Sequence, residues 1–132
     1  MSGKPAARST RKSGFALLIA VPLFLLMFIV LKVFSSLTAK PLKTNASESG
    51  KCHISRYAPD YAFLGAMGGI FELFSSQFFY RVYTTDGRLL KTSEWNLWMR
   101  EGDPSIAPEF QGEMILYPGS EGWESWIIPE CR

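Results

Sequence analysis

The chain has 132 residues, 47% of them hydrophobic and 14% aromatic, with 14 basic and 12 acidic side chains and a formal net charge of +2. This length excludes a large multidomain enzyme, the aromatic content excludes a disordered polar chain, and the small charge argues against a nucleic-acid-binding protein. The charge is unevenly divided, however. Residues 1–50 carry 7 basic groups and 1 acidic group (+6), whereas residues 51–132 carry 7 basic and 11 acidic groups (−4). Two differently built parts are therefore expected.

The N-terminal part predicts one membrane-spanning helix. A basic tail, residues 1–13, precedes a run of 18 residues without a charge from Gly14 to Leu31. At about 1.5 Å per residue this run spans roughly 27 Å, close to the hydrocarbon thickness of a bilayer, in which the backbone must be helical. Lys32 can extend its ammonium group towards the headgroups. The predicted helix therefore covers residues 14–36, and this segment is the expected contact with membrane lipid.

Basic residues near the ends of this helix predict its orientation. Four precede it and two follow it closely: Lys4, Arg8, Arg11 and Lys12, then Lys40 and Lys43. The bias places the N-terminus in the cytoplasm and the C-terminal domain outside it. A cleaved signal peptide is the alternative. It is disfavoured because the apolar run exceeds the usual length of about 7–15 residues and no good cleavage site of small residues follows.

A polar linker and one disulfide are predicted next. Residues 37–51 are rich in Ser, Lys and Thr, which is typical of a flexible tether. Cys52 and Cys131 lie near the two ends of the segment 52–132. Outside the cytoplasm such a pair predicts a disulfide that closes a domain with a small core. Two free thiols or an intermolecular bridge are the alternatives. A metal site is not expected, because His53 is the one histidine and lacks a partner at zinc-ligand spacing.

The outer domain has the pattern of antiparallel strands. Gln77–Thr85 and Arg88–Thr92 flank Asp86-Gly87, which predicts a hairpin. With Asp86 and Gly87 as the two turn residues, the predicted partners are Arg81 with Thr92, Val82 with Lys91 and Tyr83 with Leu90. A second hairpin with a longer turn is predicted from Glu113–Tyr117 and Trp123–Ile128.

Three further segments give weaker signals. Cys52–Tyr57 and Tyr61–Leu64 are strand candidates, and residues 99–112 resemble a loop. Residues 62–74 are apolar but contain three glycines, which favours a bent or bulged core strand over a helix. A contact with the membrane surface is the alternative for this segment. The predicted fold is thus a single N-terminal transmembrane α-helix plus a small β-rich, disulfide-closed domain of the antiparallel meander or sandwich-like class.

The sequence offers no catalytic motif, but it contains conspicuous tryptophans and carboxylates. A loop-carboxylate hydrolase would draw on Glu101, Asp103, Glu109, Glu113, Glu121 and Glu124, and no cofactor or metal is expected. In each tryptophan pair the spacing of three residues places the rings on opposite faces of a strand. Two or three of the four are expected to fill the core, and the remainder could anchor a partner. The candidate partner-binding residues are Trp95, Trp98, Glu101, Asp103, Glu121, Trp123 and Trp126.

Part of the outer domain resembles a known group of proteins. The residues that carry the likeness are Cys52, Ala58-Pro59-Asp60, Tyr80–Tyr83, Asp86–Leu90 and Ser93. They resemble short, uncharacterised enterobacterial proteins that are anchored in the inner membrane and grouped as a domain of unknown function. The resemblance implies a single-pass protein of the bacterial inner membrane with a periplasmic β domain. It implies no catalytic residues.

These observations predict a membrane-tethered extracytoplasmic module that binds an unidentified protein. A tether raises the effective concentration of such a module for partners at the membrane. An immunity-type inhibitor of a periplasmic toxin is a specific version of this hypothesis. The alternative is an accessory subunit of an envelope complex that assembles through its transmembrane helix. An envelope-acting hydrolase using loop carboxylates is a third and weaker hypothesis.

Overall fold

The computed structural model describes Gly3, residues 10–99 and residues 106–132. The chain divides into two compact units, Met1–Phe34 and Ser35–Arg132. Most of the predicted basic tail lies outside the described residues, as do Glu101 and Asp103.

A single long helix dominates the first unit. Helix α1 spans Thr10–Leu37 with Pro22 inside it, and its last three residues belong to the second unit. Its apolar stretch, Gly14–Leu37, has 24 residues. Among the described residues it is the one helix whose length and composition would allow it to cross a membrane. The predicted helix over residues 14–36 is therefore confirmed as a helix.

A four-stranded antiparallel sheet follows α1 after two intervening residues. Its strands, in spatial order, are β1 (Lys40–Ala46), β2 (Cys52–Ala58), β3 (Phe79–Thr84) and β4 (Leu89–Thr92). Strand β1 lies in the segment predicted as a flexible linker over residues 37–51, and that prediction is wrong for these seven residues. Strand β1 is an edge strand, and almost all of its side chains are exposed, which explains its polar composition. Its backbone pairs with β2 although it has no apolar face of its own.

The first predicted hairpin is confirmed, but one of its pairs shifts. Arg81 pairs with Thr92 and Val82 with Lys91 as predicted, whereas Tyr83 pairs with Leu89. The turn is longer than two residues, because the Thr84 amide donates to the Arg88 carbonyl at 3.0 Å across a turn in which Gly87 has φ +89°. The three-residue turn with its left-handed glycine shifts the pairing of Tyr83 by one residue from the predicted register. A bulge between Val82 and Tyr83 then returns Val82 and Arg81 to their predicted partners.

A second, three-stranded antiparallel sheet contains β5 (Glu109–Gln111), β6 (Met114–Pro118) and β7 (Trp123–Ile127). The β6–β7 hairpin confirms the second predicted hairpin. Strand β5 lies in the segment predicted as a loop over residues 99–112, so that prediction is wrong for residues 109–111. Three residues with one buried side chain, Phe110, give too short an alternation to be recognised in a sequence.

The core joins the two sheets and contains the disulfide. The first sheet contributes Ile54, Tyr80 and Val82, and the second contributes Ile115 and Tyr117, all nearly fully buried. Cys52 and Cys131 form the predicted disulfide within this cluster, with an S–S distance of 2.06 Å. The predicted fold class, one N-terminal apolar helix plus a disulfide-closed antiparallel β domain, is thus confirmed.

The glycine-containing segment is helical, which corrects the prediction of a core strand over residues 62–74. A 3-10 helix, Ala62–Leu64, precedes the short helix α2, Met67–Phe74, so the strand predicted at Tyr61–Leu64 is also wrong. Gly65 ends the first turn with φ +58°, and Gly68 lies so close to the Tyr61 carbonyl that a Cβ atom would collide with it. The glycines therefore lower the helix propensity of the segment. Gly65, however, allows the turn, and Gly68 allows close packing against Tyr61.

Candidate partner-binding surface

Three of the four tryptophans lie at the surface, which corrects the expectation that two or three would fill the core. Trp95, Trp98 and Trp123 are 55%, 58% and 60% exposed. Only Trp126 packs against the core, where its ring lies 4.1 Å from that of Tyr117. The core is instead filled by tyrosine, phenylalanine and aliphatic side chains from both sheets. Exposed tryptophan side chains are candidates for contact with a partner.

Strand β7 separates its two tryptophans by simple alternation. Trp123, Ser125 and Ile127 face solvent, and Glu124 and Trp126 face inward. The predicted separation of Trp123 and Trp126 onto opposite faces is therefore confirmed. Pro118 pairs with Trp123 at the end of the hairpin, and the Gly119 amide donates to the Gly122 carbonyl at 2.6 Å within the turn.

The Glu124 carboxylate connects this hairpin to the loop that carries the other exposed tryptophans. It accepts a hydrogen bond from the Tyr117 hydroxyl at 2.8 Å and one from the Asn96 side-chain amide at 3.4 Å. Burial and the neighbouring Glu124 carboxylate both raise the pKa of Tyr117 above its ordinary value, so the phenol remains a donor at neutral pH. A side chain at Gly119 would collide with Glu124, so this glycine leaves room for the carboxylate.

The loop over residues 93–99 is held in place through its backbone. The Trp98 amide donates to the Ser75 carbonyl at 2.9 Å, and the Ser76 hydroxyl donates to the Asn96 carbonyl at 2.7 Å. Trp98 itself has φ +59°, a left-handed conformation that a bulky residue rarely adopts. The loop therefore fixes the backbone of Trp98 in an unfavourable conformation while its side chain stays exposed, which is typical of functional positions.

Arg81 and Glu94 form a polar centre that the sequence did not single out. The Arg81 guanidinium donates two hydrogen bonds to one Glu94 carboxylate oxygen, at 2.6 and 3.1 Å, and the Ser36 hydroxyl donates a third at 2.8 Å. Arg81 also lies over the rings of Tyr57 and Phe79, with its guanidinium carbon about 5 Å from each centroid. Partial burial alone would raise the pKa of Glu94, but the hydrogen bonds from Arg81 and Ser36 lower it. No local sequence pattern indicates this ion pair, because Arg81 and Glu94 lie 13 residues apart in the chain.

The remaining candidates are dispersed. Glu121 is exposed in the β6–β7 turn, whereas Glu101 and Asp103 lie outside the described residues. Of the other carboxylates, Glu113 forms an exposed ion pair with Arg132 at 3.1 Å. His53 lies on β2, an inner strand of the first sheet, and stacks on Tyr83, with ring centroids 5.6 Å apart. Within residues 10–99 and 106–132, no group of three His, Cys, Asp or Glu side chains is arranged to hold a metal ion.

Comparisons with protein-family models, with curated proteins and with solved structures found no significant match for this chain. The resemblance to enterobacterial inner-membrane proteins therefore stays a prediction.

Proposed function

We propose that this chain is a membrane-anchored protein-interaction module. In this proposal residues 14–36 span a bacterial inner membrane, the N-terminus lies in the cytoplasm and the β domain lies in the periplasm. The apolar length of α1 and the excess of basic residues before it support the anchor and its orientation. The Cys52–Cys131 disulfide supports an oxidising compartment for the domain, because cytoplasmic thiols are normally kept reduced.

The exposed tryptophans carry the proposed interaction. Tryptophan is the residue type most enriched among the few side chains that supply most of the binding energy in protein interfaces. Trp95 and Trp123 project from segments linked by the Asn96–Glu124 hydrogen bond, so their backbones are fixed before a partner arrives. A preorganised aromatic surface loses little conformational entropy on binding. We refer to the exposed side chains of Trp95, Trp98 and Trp123 collectively as the tryptophan surface.

The charge of the domain indicates the chemistry of its partner. Residues 51–132 carry a net charge of −4, and Glu121 is exposed two residues before Trp123. Complementary charge accelerates association and disfavours partners of the same sign. The proposed partner is therefore a neutral or basic protein of the envelope, and a toxin delivered to the periplasm is one such protein.

Affinity purification from detergent-solubilised membranes tests this proposal. The full chain with Trp95→Ala and Trp123→Ala should lose a partner that the unchanged chain retains, whereas Ile127→Ala should retain it. Ile127 is the matched control because it is an apolar side chain on the same strand as Trp123 and is 66% exposed. Equal recovery of every partner with both variants would refute the role of the tryptophan surface.

An accessory subunit that assembles through its helix is the second candidate. The observation that favours it is the uniform exposure of apolar side chains along α1, such as Leu18 at 74% and Phe24 at 64%. It ranks second because small residues or polar groups normally mark helix–helix contacts in membranes, whereas α1 contains mostly large apolar residues. Replacing residues 14–37 with an unrelated transmembrane helix separates the two candidates. Partner recovery should survive the exchange for an interaction module and disappear for a helix-assembled subunit.

A further inference from the structure

Helix α2 presents an apolar face to solvent. Met67, Ile70, Leu73 and Phe74 are 61%, 50%, 63% and 59% exposed, and their spacing places them along one side of the helix. The opposite side contains Gly68, which packs on Tyr61, and Glu72. Eight residues are far too few to cross a bilayer, so this face can reach lipid only at the membrane surface.

The end of α2 is joined to the end of α1 through one tyrosine. The Tyr61 hydroxyl donates to the Ser76 carbonyl at 2.7 Å and is hydrogen-bonded to the Ser75 hydroxyl at 3.0 Å, directly after α2 ends at Phe74. The same hydroxyl also has a hydrogen bond with the side chain of Ser35. Tyr61 is therefore hydrogen-bonded both to Ser35, in the last turn of α1, and to Ser75, at the end of α2.

Chain connectivity places this junction at the boundary of the membrane span. Ser35 lies two residues before Leu37, where the apolar stretch of α1 ends. Ser36, its neighbour, accepts a hydrogen bond from Arg81 at 2.8 Å on its hydroxyl oxygen. Only Thr38 and Ala39 separate α1 from β1, so the first strand of the β domain begins almost directly after the helix.

We infer that the apolar face of α2 lies in the headgroup region of the same bilayer that α1 spans. The inference rests on the membrane anchoring in the proposed function. Ser35 in the last turn of α1 and Ser75 directly after α2 are both hydrogen-bonded to Tyr61, so α2 lies close to the residues at which the apolar stretch of α1 ends. An apolar helical face at this position buries itself roughly 5–10 Å into the boundary between headgroups and acyl chains.

The consequence is a β domain that contacts the bilayer through the apolar face of α2. The Trp98 amide donates to the Ser75 carbonyl, so the loop over residues 93–99, which carries two exposed tryptophans, is attached to the residue that follows α2. A partner bound at the tryptophan surface would therefore be held next to the lipid. The absence of basic residues from α2 indicates that insertion depends on apolar contact and not on anionic headgroups.

Lipid-quenching of single fluorescent labels tests the inference. The full chain, with its native disulfide oxidised, is placed at one copy per nanodisc of phosphatidylcholine. An environment-sensitive label is attached at Leu73→Cys or Ile70→Cys on α2, at Leu25→Cys in the span, or at Leu89→Cys on β4. Leu89 is the matched control because it is a leucine of 47% exposure that pairs with Tyr83 beside the Asp86–Gly87 turn. It lies about four residues, or roughly 13 Å, along the sheet from the Phe79 end of β3.

Phospholipids with a spin label near the headgroup should quench the Leu73 and Ile70 labels more strongly than phospholipids with the spin label near the bilayer centre. The Leu25 label should show the opposite order, and neither lipid should quench the Leu89 label. The labels on α2 should also have an emission maximum at a shorter wavelength than the label at position 89. Because each disc holds one copy, contact with a second chain cannot produce this result.

Three outcomes are decisive. Quenching of the Leu25 label without quenching of either α2 label would refute the inference and leave the membrane anchor intact. Blue-shifted α2 labels that no spin-labelled lipid quenches would mean that protein covers the face, which also refutes it. Failure to quench the Leu25 label would refute the anchor itself. The same chain in discs of mixed phosphatidylcholine and phosphatidylglycerol should give unchanged quenching, and strong dependence on the anionic lipid would refute the apolar mechanism.

Discussion

Loss of the Cys52–Cys131 disulfide should destabilise the β domain more than any single contact on its surface. The two cysteines lie 79 residues apart, and each is 1% exposed within the core that joins the sheets. The cross-link therefore encloses nearly the whole domain. The perturbation is the double substitution Cys52→Ala and Cys131→Ala, compared with the unchanged chain in its oxidised and reduced forms.

The length of the closed loop sets the magnitude of the effect. For a loop of 79 residues, the chain-entropy relation gives a loss of about 4.5 kcal/mol when the cross-link is removed, and native disulfides in small domains cost about 2–5 kcal/mol to remove. Reduction removes the cross-link and retains both sulfur atoms. The alanine variant also leaves small cavities at two buried sites, so its free energy of unfolding should be the lowest of the three.

Tryptophan fluorescence gives a clean assay, because all four tryptophans lie between residues 95 and 126. Urea titration of the full chain in mild detergent therefore reports on the β domain and not on α1. With a urea dependence of about 1–2 kcal/mol per molar, a loss of this size should lower the unfolding midpoint by roughly 2–4 M. Small domains have about 5–15 kcal/mol of stability in total, so the variant should unfold at low urea.

A small change would refute this reasoning. If the oxidised chain and the alanine variant had midpoints within about 0.5 M of each other, the closed loop would not stabilise the domain as calculated. Reactivity of both thiols towards a maleimide in unreduced native membranes would contradict the disulfide itself and the proposed oxidising compartment. A reduced chain less stable than the alanine variant would contradict the cavity argument.

Three further perturbations test other parts of the structure. Glu94→Gln should lower stability by about 1–2 kcal/mol at pH 7. Because the folded pKa of Glu94 is lowered, its contribution is present above its unfolded pKa, about 4.3, and disappears as the pH falls through the folded value. The difference between wild type and variant should therefore vanish at low pH in urea titrations; a constant difference would refute the ion-pair assignment. Gly68→Ala should destabilise the domain through collision with the Tyr61 carbonyl, whereas Gly69→Ala, which meets nothing within 4 Å, should stabilise α2 by up to about 1 kcal/mol. Equal melting temperatures for the two alanine variants would contradict the packing. Trp126→Ala should cost about 3 kcal/mol and Trp123→Ala less than about 0.5 kcal/mol in the same titrations, and the reverse order would contradict the assignment of core and surface faces.

Local patterns accounted for the elements that the sequence predicted well. The 18 apolar residues from Gly14 to Leu31 specify a helix because only hydrogen bonds within the segment can satisfy such a backbone in an apolar medium. Asp86-Gly87 between two apolar runs specified a hairpin, although the left-handed Gly87 made the turn one residue longer than predicted. The cysteine pairing followed because the chain holds only two cysteines.

The errors fall where a distant part of the chain determines the structure. Lys40–Ala46 has no apolar face, and it becomes a strand because β2 offers its backbone groups as partners. Gly68 appeared to weaken a helix, but the approach of the Tyr61 carbonyl is what makes glycine the suitable residue there. The tryptophans were assigned mainly to the core because aromatic area stabilises small domains. Which rings are buried depended on how the two sheets pack, and composition does not contain that information.

The sequence by itself determined an apolar helix, a small antiparallel β domain and the disulfide that closes it, because periodicity, turn residues and cysteine number are local or countable properties. Tertiary structure alone decided that Ser35 and Ser75 meet at Tyr61, that Arg81 and Glu94 bind Ser36, and that Glu124 reaches Asn96. These contacts join residues 13 to 58 positions apart. Their hydrogen bonds form only after hydrophobic packing has brought the elements together, so no pattern within one segment could reveal them.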